Sequence, residues 1–225
     1  MAKVLCVMGD SGAGKTTSMR NLDPETTYYI DCDKKGLSWK GWKEQYIPSV
    51  NYTKTDFPQI VQSLLVWLNG KKLDEKKQPI TAGLKFKVVV IDTINGIMVA
   101  DEMRRCKEKG YDKWQDLAQS IYDIVDYALT MRDDLTVIFV AHTQTDHDDN
   151  GFMFTRIKTS GRKLDKITLE SKFGTVLLAK TVDGRHVFET QANLSTAKTP
   201  FGAFGEDEKE IGNDIAEVIK RLEEF

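Results

Sequence analysis

Only three cysteines occur in 225 residues, Cys6, Cys32 and Cys106, an odd number at wide spacing. That excludes a disulfide framework and a thiolate zinc site, and leaves reduced thiols, two of them inside apolar runs that read as core strands. No stretch approaches about 18 consecutive apolar residues, so no membrane-spanning helix and no membrane partner are expected. Met1-Ala2-Lys3 leads directly into an apolar strand rather than a cleavable leader, and the expectation is a soluble, cytoplasmic protein. A charge excess is missing too: 32 Lys and Arg face 34 Asp and Glu, a formal net charge of −2. No uniformly basic coat exists for nucleic acid, so any such contact must come from a local patch. Repeats and low-complexity tracts are absent.

What is present begins near the N-terminus. Gly9, Asp10, Ser11, Gly12, Ala13, Gly14, Lys15 and Thr16 follow the pattern G-x-x-x-x-G-K-[ST]. They lie between the apolar run Val4-Leu5-Cys6-Val7-Met8 and a polar, helix-compatible segment beginning at Lys15. Glycines let backbone wrap closely round a polyphosphate, and a following helix would aim its free N–H groups and positive dipole end at it. In this phosphate-binding P-loop, Lys15 would neutralise β/γ oxygens, Thr16 would reach Mg²⁺ and Thr17 would complete the cradle.

The rest of the chain alternates strand and helix signals. Thr26-Thr27-Tyr28-Tyr29-Ile30 reads as a buried strand closing on Asp31-Cys32-Asp33. Ile60, Val61, Leu64, Leu65 and Leu68 follow helical spacing up to a stop at Gly70, and Lys71 to Pro79 is a charged, exposed connection. Phe86 to Thr93 is continuously apolar until it ends in Asp92, as a central parallel strand should be, and looks like a Walker B strand. A long helical region follows, broken near Gly110, its second half carrying an apolar stripe of Trp114, Leu117, Ala118, Ile121, Val125, Ala128 and Leu129. Leu135 to Ala141 is another buried strand, ending at His142. Then come a polar loop from Asp146 to Gly151, a hairpin about Asp183-Gly184, and a last amphipathic helix from about Asn213 to Leu222. This order implies an α/β fold with a mainly parallel central sheet, helices on both faces and a C-terminal antiparallel hairpin extension. The expected organisation is a single domain, 1–225, with a nucleotide-binding core (1–145), a loop and hairpin region (146–200) and an acidic tail and helix (201–225).

Two points bear on the nucleotide. Thr53-Lys54-Thr55-Asp56 matches the guanine motif [NT]-K-x-D as a string, but it precedes the Walker B strand, whereas GTPases carry it after. ATP is therefore favoured. No arginine-rich lid of the nucleotide-kinase kind follows the long helices.

Three strand ends together resemble the RecA-like P-loop ATPase core. Tyr29-Ile30-Asp31-Cys32-Asp33 is similar to the strand ending in that family's water-activating carboxylate, although Asp33 stands where Glu is usual. Val90-Ile91-Asp92-Thr93 resembles its Walker B, and Val137 to His142 its γ-phosphate-sensing strand. Lys198-Thr199-Pro200-Phe201 resembles a late lysine-bearing segment that reaches a neighbouring subunit's nucleotide. More narrowly, Trp39-Lys40-Gly41-Trp42, Ala141-His142-Thr143-Gln144, and Thr199-Pro200-Phe201-Gly202 followed by Asn213-Asp214 are similar to compact phage-encoded RecA-like ATPases of single-strand annealing and recombination. The resemblance implies ATP and Mg²⁺ as cofactors, with Thr16 and Asp92 holding the metal. Lys15, Asp33, Asp92, His142 and Lys198 would be the catalytic set. The expected function is DNA-stimulated ATP hydrolysis coupled to annealing or recombination on single-stranded DNA. It also implies a homo-oligomer with nucleotide at subunit interfaces, a single-strand-binding protein as a further partner, and the host cytoplasm if phage-encoded.

Between Arg156 and Lys172 six basic residues (Arg156, Lys158, Arg162, Lys163, Lys166, Lys172) meet two acids, Asp165 and Glu170. The segment follows the sensor strand, where DNA-binding loops lie in a RecA-like core, and Arg156, Lys158, Arg162, Lys163 and Lys166 are the candidate DNA contacts. A groove of such residues tracks a single strand without reading sequence. Phe152 and Phe154 read as core, Trp39 and Trp42 as a subunit interface, His186 as lacking a partner, and Asp146-His147-Asp148-Asp149 as a solvated loop rather than a metal site. A P-loop phosphotransferase and a nucleotide-switched, non-catalytic interaction module are the alternative functions.

Overall fold

A computed structural model of the chain describes residues 1–110, 112–148, 150–159 and 168–225. Among the described residues nine strands form one sheet. They are β1 (Lys3–Gly9), β2 (Thr27–Asp31), β3 (Tyr52–Lys54), β4 (Val88–Asp92), β5 (Thr136–His147), β6 (Met153–Ile157), β7 (Thr175–Val182), β8 (Arg185–Glu189) and β9 (Glu210–Gly212). The spatial order is β3-β2-β4-β5-β1-β7-β8-β9, with β6 paired to the outer part of β5. From β3 to β7 every pairing is parallel, while β8 and β9 return antiparallel.

The continuous apolar runs follow from burial of both sheet faces. Cys6 and Met8, Tyr28 and Ile30, Val89 and Ile91, Val137 and Phe139 point into one core layer. Leu5 and Val7, Tyr29, Val90, Ile138 and Val140 point into the other. Helices α2 (Pro58–Leu68), α3 (Ile94–Arg104) and α4 (Asp112–Leu129) lie on the first face. The second is covered more thinly, by the short α1 (Trp42–Gln45) with its flanking loop, a 3-10 turn at Thr17–Asn21, and α5 (Ile215–Glu224). None of the described helices is long and apolar enough to cross a membrane.

Local chemistry sets the boundaries. Gly70 takes φ +71 and closes α2, with Gly70 N–H donating to Trp67 O and Lys71 N–H to Val66 O. Asp183 and Gly184 both have positive φ, which joins β7 to β8 by the two-residue turn whose twist matches the strands. Asp214 caps α5, its carboxylate accepting from Ala216 N–H at 3.0 Å.

Some expectations fail. The segment after the P-loop is a five-residue 3-10 turn, not a helix of useful length. Ser18 Oγ bonds back to Lys15 O at 2.6 Å, and Leu22 is already extended two residues before Pro24, so the turn cannot propagate. No long helix dipole therefore points at the loop. β5 continues past His142 to His147 because its outer half pairs with β6. Trp114 is 38% exposed and falls off the buried stripe of α4.

Candidate nucleotide-binding site

The P-loop leaves the carboxyl end of β1, with Gly9 opposite His142 on β5 and Ala179 on β7. A side chain on Gly9 would put Cβ 2.5 Å from Ala179 O, so the strand junction admits only glycine. Gly12 and Gly14 have φ +80 and +92, and these left-handed residues let Asp10, Ser11, Gly12 and Ala13 curl back toward the sheet. Ala13 N–H closes the curl on Asp10 O at 3.2 Å.

Lys15 is 6% exposed and lies inside the loop it belongs to. Its ammonium donates to Gly9 O and Asp10 O, each at 2.8 Å, and stands 3.5 Å from His142 Nδ1. Burial lowers its pKa, and the nearby Asp92 charge opposes that. Held by carbonyls rather than a carboxylate, Lys15 can exchange these partners for phosphate oxygens. Thr17 Oγ1 meets Ser38 Oγ at 2.9 Å, tying the loop's far side to the segment after β2.

Adjacent β2 and β4 place Asp31 beside Asp92, and the chain then carries Asp33 over the sheet edge. Asp92 is fully buried, and Oδ2 accepts from Thr16 Oγ1 at 2.8 Å and Tyr29 OH at 2.6 Å. Burial raises its pKa, against those two hydrogen bonds. Its other oxygen, Oδ1, is buried with no partner among the described residues. A hydroxyl and a lone buried carboxylate oxygen side by side are the hard oxygen donors that Mg²⁺ takes, so Thr16 and Asp92 fit the expected metal site. Among the described residues no group of three or more His, Cys, Asp or Glu is arranged for a metal, and Asp148 instead accepts from Asn150 and Phe152 N–H in a turn.

Asp33 is fixed from both sides, Oδ1 accepting from Thr93 Oγ1 at 2.8 Å and Oδ2 from Lys35 Nζ at 2.5 Å. Asp33 and His142 line one cleft of about 380 Å³ with Asn95 and Gly96. Burial, then the charge of Lys15, lowers the His142 pKa. Asn95, in the first turn of α3, accepts from His142 N–H at 2.7 Å and donates to Lys158 O at 2.7 Å. Lys158 N–H in turn donates to His142 O at 2.7 Å. One side chain therefore joins α3, β5 and the residue that follows β6.

The structure thus gathers the P-loop, Asp92, Asp33 and His142. Lys198 is elsewhere: it pairs through its backbone with Val176, low on β7 and away from the loop. The guanine-like string is otherwise engaged, with Asp56 bonded to Arg104 and Lys34. Of the candidate DNA contacts, Arg162, Lys163 and Lys166 lie outside the described residues. Arg156 is buried, 3.4 Å from Asp146 and 3.8 Å from Glu170, which leaves its guanidinium turned inward. Lys172 pairs with Asp126 and Tyr122. Lys158 is exposed. Phe152, expected in the core, is 67% exposed at the β5–β6 turn because that hairpin projects beyond the sheet's packed layers. Trp39 and Trp42, expected at an interface, pack edge-on and tilted against Tyr29, Tyr46 and Tyr52 behind Asp92.

Four contributors escaped sequence reasoning. Tyr29 and Asn95 carry no signal beyond a strand tyrosine and a helix-start amide. His186, expected to lack a partner, meets Thr181 Oγ1 at 3.1 Å and packs on the P-loop, where a Cβ on Gly14 would stand 2.8 Å from its Cγ. Asn213 lies on the same glycine, 3.1 Å from that Cβ position.

A mainly parallel α/β sheet with a P-loop at its centre and a Walker B acid two strands away defines a P-loop nucleoside triphosphatase. Residues 1–201 match the AAA domain family, and the chain belongs to that family. Its fold is accordingly that of the P-loop NTPases. No curated protein matches the chain. Among solved structures, the P4 protein from bacteriophage phi6 in complex with ADP is similar at 15% identity and a TM-score of 0.39, over 84% of this chain and 55% of that one. The chain thus spans about half the length of that protein.

Proposed function

We propose that this protein is a RecA-like ATPase that binds single-stranded DNA and promotes annealing or recombination in step with ATP hydrolysis. The observation that carries this reading is the Asn95 amide, which bonds to both His142 and Lys158. It links the group beside the P-loop lysine to Lys158, near the start of the basic segment assigned to DNA. Phe152 offers an exposed ring on the hairpin leading into that segment, suited to stacking against a base.

In the hydrolytic step Lys15 binds the β/γ oxygens. Asp33 orients a water in line with the γ-phosphorus and takes one of its protons as the new P–O bond forms and the bond to the bridging oxygen breaks. The products are ADP and phosphate, and the proton passes from Asp33 to solvent. Thr16 and Asp92 would hold Mg²⁺, which would supply charge neutralisation at the phosphates. His142 reads the γ-phosphate and passes the difference to Lys158 through Asn95.

Lys198 acts on the nucleotide of a neighbouring copy, in an oligomer with nucleotide at the subunit interface. Its distance from its own P-loop and the 98% exposure of nearby Phe201 favour that arrangement. A single-strand-binding protein is a further proposed partner.

The test is steady-state ATP hydrolysis with and without single-stranded DNA, with Lys15→Ala as the control. Stimulation by DNA that vanishes in the control is expected. Slow turnover indifferent to DNA, with no DNA retained, would overturn the DNA reading and favour a phosphotransferase or a switch module.

A further inference from the structure

Lys35 is bonded to the carboxylate assigned to water activation. Half-exposed lysine–carboxylate pairs are commonly incidental. The turn that presents this one is built. Lys34 and Gly36 both take left-handed backbone, φ 58 and 84, an unfavourable choice for Lys34 that the surroundings must impose. The surroundings are specific. Asp31 accepts from Gly36 N–H at 2.8 Å and from Tyr52 OH at 2.6 Å. Lys34 is tethered by its ammonium to Asp56 at 2.5 Å and by its carbonyl to Lys54 at 3.3 Å. Trp42 closes beneath Gly36, 2.9 Å from where a Cβ would stand. Between these anchors the chain reverses, and Lys35 is directed back over Asp33.

We infer that Lys35 is a second phosphate-binding cation of the ATP site, which leaves Asp33 for the γ-phosphate when ATP arrives and frees Asp33 Oδ2 to hold the attacking water. This rests on the ATP-hydrolysing reading above. Thr93 keeps its hydrogen bond to Oδ1 throughout, so the carboxylate stays oriented while its other oxygen changes partner. Without nucleotide the ammonium and carboxylate neutralise each other and the water position is closed. A triphosphate brings a γ group of higher charge density than one carboxylate, and a diphosphate does not. The exchange therefore makes the site sensitive to the third phosphate. The charge of Lys35 is felt across the site. It adds to the effect of burial in lowering the Lys15 and His142 pKa values, and it counters the burial that raises Asp92. Burial disfavours its own charge, but the bond to Asp33 outweighs that and holds Lys35 above the ordinary lysine value.

The experiment compares Mg²⁺-dependent binding of AMP-PNP and ADP to wild type, Lys35→Ala and Lys35→Arg, with kcat measured alongside. In Lys35→Ala the AMP-PNP affinity is expected to fall about tenfold, as the loss of one charge-assisted bond implies. ADP affinity should stay unchanged, kcat should fall at least about tenfold, and Lys35→Arg should recover most of the preference. An unaltered ratio of AMP-PNP to ADP affinity in Lys35→Ala overturns the inference. Should that variant fail to fold, Lys35→Gln provides the same ratio. If wild type prefers AMP-PNP but hydrolyses no ATP, the hydrolytic reading fails, while the ratio still decides whether Lys35 touches the third phosphate.

Discussion

The middle of β5 and the stretch beyond it hold contrasting kinds of charge. At His142, beside the P-loop, ionisable groups from four parallel strands converge, and two lack a matched opposite partner among the described residues: Lys15 rests on carbonyls and one Asp92 oxygen has no partner. Past His142, along the β5–β6 hairpin and the strands toward β9, charges close on one another. Arg156 faces Asp146 and Glu170, Lys172 faces Asp126, and Lys180 is held by Glu189 and Glu210. A positive run in a sequence is thus no measure of positive surface. Unmatched charge marks where a ligand is needed, and matched charge marks where the fold has met its own needs.

The sharpest way to break this contrast is Asp33→Asn. It should lower kcat by about 10²–10⁴, the usual worth of a positioned base, while ATP still binds. Retained turnover in a steady-state assay would remove Asp33 from the chemistry. Next in size, Arg156→Ala should strip a buried pair of one partner and lower stability by roughly 3 kcal/mol, read by thermal or urea melts. If DNA affinity falls instead and the melt is unchanged, Arg156 belongs with the unmatched charges.

A smaller effect concerns His142. Burial and Lys15 hold its folded pKa below the ordinary value, so the unfolded chain takes up the proton first as pH falls. Its contribution is present above the unfolded pKa of about 6.5 and is lost as pH drops below it. Wild type should therefore lose Tm between about pH 7 and 5 more steeply than His142→Gln, measured by melts across that range. Smallest of all, Lys158→Ala should reduce the salt slope of single-stranded DNA binding by about one while leaving Tm unchanged.

Much of the fold was legible because it rests on local rules. Strands buried on both faces gave continuous apolar runs, Gly70 marked the end of α2, and Asp183-Gly184 marked a hairpin. The P-loop and Asp92 were legible for the same reason: phosphate wrapping and metal binding require particular residue types at particular spacing. The short turn after the loop was not, since competition from the Ser18 hydroxyl is weak in any propensity and decisive only in place. Tyr29 was read as core and is core. Its hydroxyl matters only because the sheet order brings Asp92 beside it, 63 residues later in the chain. Arg156 was misread as surface because its partners are set by β5 pairing with β6 and by the turn carrying Glu170. The three buried tyrosines on which the half-exposed Trp39 and Trp42 pack carry no sequence signal that would pair them with those tryptophans.

The contacts of the β9–α5 corner with the P-loop turn have a consequence for how the protein is made. Arg20 donates to Asn213 O at 2.8 Å and Asn21 to Asp214 at 2.5 Å, across 193 positions of sequence in each case. Chains emerge from the ribosome N-terminus first. The phosphate loop is therefore synthesised well before it is completed, because its supporting wall is translated 193 residues later. Until then the nascent loop lacks the His186 and Asn213 packing on Gly14.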